Sequence, residues 1–322
     1  MARTFSKGGW GGILLVVVAI VAFFGYFMWP EGGKKVIQDI TDNVFGAELD
    51  LQLKGMPANN GDHYEIWSKE PNGGEQPVGY FRVLDGGSLV TLAGDPFDAL
   101  TLKDVPIAGS ELIITLEQGE SSVDKRSERV ILRGAFKTTE AELNSPYSNS
   151  KLNAEQFAIL ASPTKKSTKS ADGVWFAKNS TSIVPGLSLP TLSNGMVYAG
   201  WIVTDKNGTY LLGTFSDPGK ADGQSTYSGT KAGWNVPGED FVANAPKGVK
   251  FPLSLNDGKT SLIVSVEPDY RVSSKDFAAN GPFLKILLTR IPYHQANVTA
   301  FKLDTPSKDA IPSGKATIVE KK

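Results

Sequence analysis

The sequence predicts a mainly β chain: two tandem antiparallel β-sandwich domains behind one N-terminal transmembrane α-helix. Three observations predict it. Residues 11–29 read GGILLVVVAIVAFFGYFMW, with no charge anywhere. The remainder is rich in turn residues, with 34 glycines and 19 prolines and many Asn-Gly and Asp-Gly steps, the punctuation of short strands. The chain is also internally duplicated, with short segments recurring in the same order. In chain order, the expected parts are a short tail (1–10), the transmembrane helix (11–30), a linker (31–46) and the first β-sandwich domain (47–137). A second linker (138–155), the second β-sandwich domain (156–303) and a C-terminal tail (304–322) follow.

The apolar segment is justified by length. About 20 residues at 1.5 Å rise cross a hydrocarbon core of about 30 Å. Trp10 stands at one end and Tyr26 and Trp29 at the other, where interfacial aromatics belong. Pro30 and Gly32-Gly33 then stop the helix. No small-x-small cleavage site follows, so the expectation is an uncleaved anchor rather than a signal peptide. Gly11, Gly12, Ala19, Ala22 and Gly25 would let another helix approach closely. The segment holds no His, Asp, Glu, Lys or Arg, hence no usual haem or chlorophyll ligand and no proton relay. Arg3 and Lys7 on one side balance Lys34 and Lys35 on the other. The expected placement, a bacterial inner membrane with the N-terminus cytoplasmic and the bulk periplasmic, therefore rests on the following domain and not on charge.

The duplication carries the β reading. Tyr64 to Phe81 aligns without gaps on Tyr198 to Phe215, so that Tyr64, Trp67, Gly79 and Phe81 coincide with Tyr198, Trp201, Gly213 and Phe215. Asn72-Gly73 and Asn207-Gly208 fall in the middle of each copy and predict a tight hairpin with φ > 0 at both turn positions. SELIITLE (110–117) then matches TSLIVSVE (260–267), each alternating as a half-buried strand should. RVILRGAF (from Arg129) and FLKILLTRI (from Phe283) close the copies. AELDLQLKGM (from Ala47) and GLSLPTL (from Gly186) are strand candidates ahead of each hairpin. FAILASPT and GVWFAK read as a further hairpin joined by the solvated loop KKSTKSADG, and NVTAFKL as a short late strand. Tyr64, Trp67, Phe81 and Glu117, with Tyr198, Trp201, Phe215 and Glu267, are the expected anchors of the two copies.

These segments resemble the extracytoplasmic domain of the anti-sigma-K factor family, through Tyr198-x-x-Trp201, Gly213-x-Phe215 and Ser265-Val266-Glu267-Pro268. The first copy repeats them as Tyr64-x-x-Trp67, Gly79-x-Phe81 and Thr115-Leu116-Glu117, with Gln118 in place of proline. The resemblance implies an exported β-module. It also marks a departure: the family's cytoplasmic sigma-binding domain has no counterpart in the ten residues before the apolar segment, so no sigma factor is expected as a partner.

Composition excludes several chemistries. With no cysteine there is neither disulfide nor thiolate. A net charge of −1, without a basic face, argues against nucleic acid. His63 and His294 stand far apart at strand edges, without metal-ligand spacing. Gly258-Lys259-Thr260 lacks the leading glycine of a phosphate loop, whose place Leu253 takes. Glu117 and Glu267 are equivalent positions, read as strand-end hydrogen-bonding groups. No catalytic group, metal or cofactor is expected. The expected function is a non-catalytic accessory subunit that meets the lipid bilayer and other membrane-complex subunits and braces or caps the complex. A bacterial photosynthetic reaction-centre and antenna complex is one candidate host. The alternative is a tethered sensing or binding module, with an aromatic-lined cleft between the copies near Trp175 or Trp234.

Overall fold

The computed structural model describes residues 47–322 except 60, 103–107, 120–124, 149, 166–170, 206–207, 273–276 and 321–322. The first half forms β1 (Ala47–Lys54), β2 (Asp62–Lys69), β3 (Glu75–Val83), β4 (Leu89–Val90) and β5 (Ala99–Thr101). Then come β6 (Glu111–Gln118), β7 (Val130–Ala135) and β8 (Glu140–Asn144). The second half continues with β9 (Gln156–Leu160), β10 (Gly173–Trp175), β11 (Ala177–Asn179), β12 (Val184–Pro185), β13 (Met196–Thr204), β14 (Gly208–Phe215) and β15 (Gly238–Asp240). After β16 (Ser261–Pro268), two one-turn helices, α1 (Asp269–Val272) and α2 (Phe277–Asn280), lead into β17 (Leu284–Arg290). The chain ends with β18 (Ala300–Leu303) and β19 (Ser313–Glu320).

The duplication is visible in hydrogen-bond register. One copy runs β3-β2-β6-β7 within a nine-stranded sheet, and the other forms a separate sheet in the order β14-β13-β16-β17. Tyr64 pairs with Phe81 and Tyr198 with Phe215. Each hairpin slips register at its tryptophan, between Ile66 and Trp67 and between Gly200 and Trp201. A second irregularity recurs between Ile114 and Thr115 and between Val264 and Ser265. A bulge bends a strand and raises its twist, so four such slips at matching places mean that both sheets curl alike.

Side-chain bonds repeat as well. Tyr64 donates its hydroxyl to the Pro57 carbonyl at 2.8 Å, and Tyr198 donates to that of Pro190. Each tyrosine lies against its paired phenylalanine, with centroids 5.3 Å apart in the first copy and 5.7 Å in the second. Buried Glu117 accepts from Thr115 Oγ1 (2.6 Å) and the Ser127 N–H (3.0 Å). Buried Glu267 accepts from Ser265 Oγ (2.6 Å) and the Phe283 N–H (2.8 Å). The tryptophans differ in partner: Trp201 Nε1 donates to Ser265 Oγ at 2.8 Å, Trp67 Nε1 to Glu65 at 3.1 Å.

The expectation of two tandem β-sandwich domains is corrected. Among the described residues there are four sheets, and one hydrophobic core runs through both copies, holding Tyr64, Phe81 and Leu112 together with Tyr198, Phe215 and Leu262. The nine-stranded sheet, in the order β4-β3-β2-β6-β7-β8-β19-β1-β5, takes strands from both ends of the described chain. β19 lies in the stretch read as a C-terminal tail, yet pairs with β1 over eight residues and with β8 over five. β8 itself lies in the stretch read as a linker. Short alternation such as Glu140-Ala-Glu-Leu-Asn144, with Ala141 and Leu143 inward, is a weak signal against its polar surroundings.

The membrane reading is corrected too: no helix among the described residues is long and apolar enough to cross a bilayer. The segment that carried it, with Trp10, Gly11, Gly12, Ala19, Ala22, Gly25, Tyr26 and Trp29, lies outside the described residues. GLSLPTL forms no strand. Its Ser188 N–H is bonded by the Gln156 side chain at 2.7 Å, and Pro190 lacks a ladder donor. At the first hairpin turn only Gly73, not Asn72, has positive φ, because the turn closes between Glu70 and Gly74 rather than as a two-residue loop.

β19 fills the gap between β1 and β8. Truncation after Pro312 would expose both as unpaired edges. The expected outcome is loss of a single cooperative urea transition monitored by near-ultraviolet circular dichroism. An unchanged midpoint and slope in the truncated chain would show that β19 contributes nothing to the fold.

Candidate ligand-binding site

The second copy has a long connection between β14 and β15 with no strand or helix of its own. Such loops in a compact fold are commonly functional. Its course is fixed at three places. Asp217 accepts from the Gly219 N–H at 2.8 Å and opens the first turn. Asp222 accepts from the Gln224 N–H at 2.8 Å and, across the loop, from the Gly238 N–H at 3.0 Å. Tyr227 inserts its ring among Tyr210, Phe241 and Phe251, stacked on Phe241 at 5.1 Å.

A run of carboxylates lies behind the loop. β15 pairs with β10, setting Asp240 opposite Gly173 and Gly238 opposite Trp175. Fully buried Asp240 accepts from Trp175 Nε1 at 2.8 Å, from the Thr164 N–H at 2.9 Å and from Thr164 Oγ1 at 2.5 Å. Fully buried Glu239 accepts from the Ser228 N–H at 2.8 Å and from the Ser228 hydroxyl through the same oxygen, Oε1. Its second oxygen, Oε2, is buried without a hydrogen-bond partner. Burial pushes Asp240 above the ordinary aspartate value despite its donors. Burial raises Asp222 to about 6, against lowering by the Gly238 and Gln224 N–H groups. Burial, with the nearby charge of Asp222 adding to it, raises Glu239 to about 7. A Glu239 raised to about 7 carries less charge at neutral pH than an ordinary glutamate, which lowers the cost of leaving that oxygen without a partner.

In front of these acids lies a cleft of about 460 Å³. Trp175 forms its floor and is itself almost fully buried. Gly233 lies so close against the Trp175 ring that a Cβ there would come within 1.8 Å of it. Only glycine allows the loop to close down at that point. Trp234 is half-buried and tilted against Trp175, with centroids 5.9 Å apart. Gln224, Ser225, Asn235 and Asp222 complete the polar wall. The arrangement can stack one planar or hydrophobic face on indole while offering both donors and acceptors at its edge.

The sequence-derived residues fall elsewhere. Tyr64, Phe81, Tyr198 and Phe215 are in the shared core. Trp67 and Trp201 are buried on the other faces of their strands, Trp201 beneath Phe277 of α2 with centroids 5.0 Å apart. Glu117 and Glu267 each take hydrogen bonds within their own copy. His63 is buried beside Glu65 at 3.3 Å, and His294 is exposed with its ring on Tyr293. The Trp175–Trp234 cleft lies within the second copy, not between the copies as expected. Asp222, Ser228, Glu239 and Asp240 were not singled out by sequence. Their one signal is a Glu-Asp pair behind Pro237-Gly238, inside a run that ends in buried Phe241. Among the described residues, no group of three or more His, Asp or Glu is arranged to hold a metal.

Compared with protein-family models, curated proteins and solved structures, the chain matches none.

The acids give a pH dependence of known sign. Glu239 sits above its ordinary 4.5 and Asp222 above its ordinary 3.8, so the native state binds more protons than the unfolded chain over the intervening range. The stability this confers is fully present below those ordinary values and is lost as pH rises through about 6 and about 7. Glu267, raised by burial to about 7, acts in the same direction. The expected outcome is a melting temperature that falls from pH 4.5 to pH 7.5, with a shallower fall in Glu239→Gln. An equal slope in that variant would show that Glu239 is charged when native.

Proposed function

We propose that the chain is a non-catalytic binding module whose cleft over Trp175 and Trp234 takes a short neutral glycan. One observation carries this reading: a half-buried indole standing beside amide, hydroxyl and carboxylate side chains around a cleft of about 460 Å³. Sugars present an apolar C–H face and a rim of hydroxyls, which such a wall matches on both counts. Gln224 and Asn235 supply amide donors and acceptors, Ser225 a hydroxyl, and Asp222 a carboxylate acceptor. The loop is pinned at Asp222, Tyr227 and Ser228, so little ordering would remain to be done on binding. The resemblance to anti-sigma-K extracytoplasmic domains accords with a sensing or binding role. In either setting drawn from the sequence, accessory subunit or sensing module, this cleft is the element that meets the ligand.

Titration of the purified chain with soluble neutral oligosaccharides, followed by tryptophan fluorescence and calorimetry, tests the reading. A saturable signal is expected, with Trp234→Ala weakening binding by about tenfold or more, as loss of an aromatic anchor does. Trp234 is only half-buried, so the variant should keep its circular dichroism. No saturable response to any oligosaccharide up to about 10 mM, the millimolar limit of specific recognition, would overturn it.

A further inference from the structure

A different pocket opens on the seam between the two copies, with a volume of about 290 Å³. Asn59, Asp62 and Asp85 line it from the first copy, and Arg271, Asn280 and Phe283 from the second. Its charges are arranged without cancelling one another. The Arg271 side chain is mostly buried, at 19% exposure, and its guanidinium lies over the Phe283 ring at 5.0 Å. Its one ion pair among the described residues is to Glu267 at 3.8 Å, beyond hydrogen-bond reach. Neither Asp62 nor Asp85 forms an ion pair with Arg271. Asp62 Oδ2 accepts from the Tyr270 hydroxyl at 2.7 Å, a neutral donor. Asp85 is exposed at the pocket edge and has no ion pair among the described residues.

A ligand filling this space meets a guanidinium from one copy and two carboxylates from the other. A simple anion would be repelled by the aspartates and a simple cation by the arginine. A neutral sugar would leave the arginine fork unused. The group that satisfies both ends is one carrying a carboxylate and an ammonium a few ångströms apart. We propose that the seam pocket binds a free α-amino acid as its zwitterion, the carboxylate on the Arg271 guanidinium and the ammonium between Asp62 and Asp85. Arginine's planar fork suits a carboxylate bidentately. Because the two charged walls belong to different copies, the ligand bridges them. It sits beside the contacts that already join them there: Tyr270 to Asp62, and Arg129 to Asp269 at 3.4 Å with its guanidinium 4.8 Å over the Tyr270 ring.

The test uses the purified full chain and ligand-observed NMR with each protein amino acid in turn at about 10 mM, a concentration that reveals even millimolar binding. At least one amino acid is expected to bind. Its N-acetyl derivative and its decarboxylated amine should each bind at least about tenfold more weakly, since each loses a charge-assisted contact. Asp85→Asn and Arg271→Lys should weaken binding by about tenfold as well, while Trp234→Ala leaves it unchanged. Asp85 is exposed, so that variant remains decisive even if the arginine variant misfolds. Absence of binding by every amino acid, equal binding of the N-acetyl or decarboxylated analogue, or native affinity in Asp85→Asn would each overturn the proposal. Loss of glycan binding alone would leave these outcomes untouched, because the two sites share no residue.

Discussion

The pairing of β19 with β1 and β8 is the constraint on which the rest of the molecule depends. It draws the end of the chain into the sheet of the first copy, so that copy does not complete its sheet from its own residues. The hydrophobic cluster is continuous through both, and cores of that kind gain stability from shared rather than separate burial. The seam follows directly. Once the copies share a core, residues at their edges are held at fixed distance, and Tyr270 can reach Asp62 across 208 positions of sequence. A pair of independent sandwiches on a linker would leave that geometry to domain motion.

How much of this was legible in sequence depends on the kind of signal. The hairpins were legible because Tyr64-x-x-Trp67 and Tyr198-x-x-Trp201 repeat at the same spacing, and the structure places both at the same register with the same bulge. Strands with strong alternation, such as β6 and β16, were legible for the same reason. β8 and β19 were not. Lys315, Thr317 and Glu140 give them a polar surface, and their burial depends on neighbours that no local pattern names. GLSLPTL misled in the opposite sense: it alternates well, but Gln156 competes for its backbone and proline interrupts its donors. Local periodicity reports a face that could be buried, not the partner that buries it.

The candidate cleft shows a different limit. Trp175 and Trp234 could be noticed by type, whereas the carboxylates behind them matter through burial, which sequence does not display. Asp240 receives three hydrogen bonds and Glu239 two on a single oxygen, yet burial still dominates both. The reason is that a few donors do not replace the hydration of a full charge. Such acids are worth keeping only where they hold something in place. Here Asp222 and Glu239 hold the loop that makes the cleft and Asp240 orients the indole of its floor; Asp222 also lines the cleft, whereas Glu239 and Asp240 act from behind it.

The duplication itself indicates where function should be sought. Positions that both copies share, Tyr64 and Tyr198, Phe81 and Phe215, Glu117 and Glu267, are occupied by bonds internal to each copy and are accounted for by folding. What distinguishes the copies is the connection after the hairpin. In the first copy it runs from Phe81 through the short β4 and β5 to Glu111. In the second it carries the pinned loop, Trp234 and the buried acids of β15 before reaching Ser261. The first copy departs in its own way, placing His63 and Glu65 where the second has Val197 and Ala199. A duplicated fold can hold one copy to the demands of packing and let the other vary, provided both remain on one core. The shared core and the closing strand meet that condition, which is why the cleft could be built on one copy and the seam pocket between the two without either disturbing the sheets.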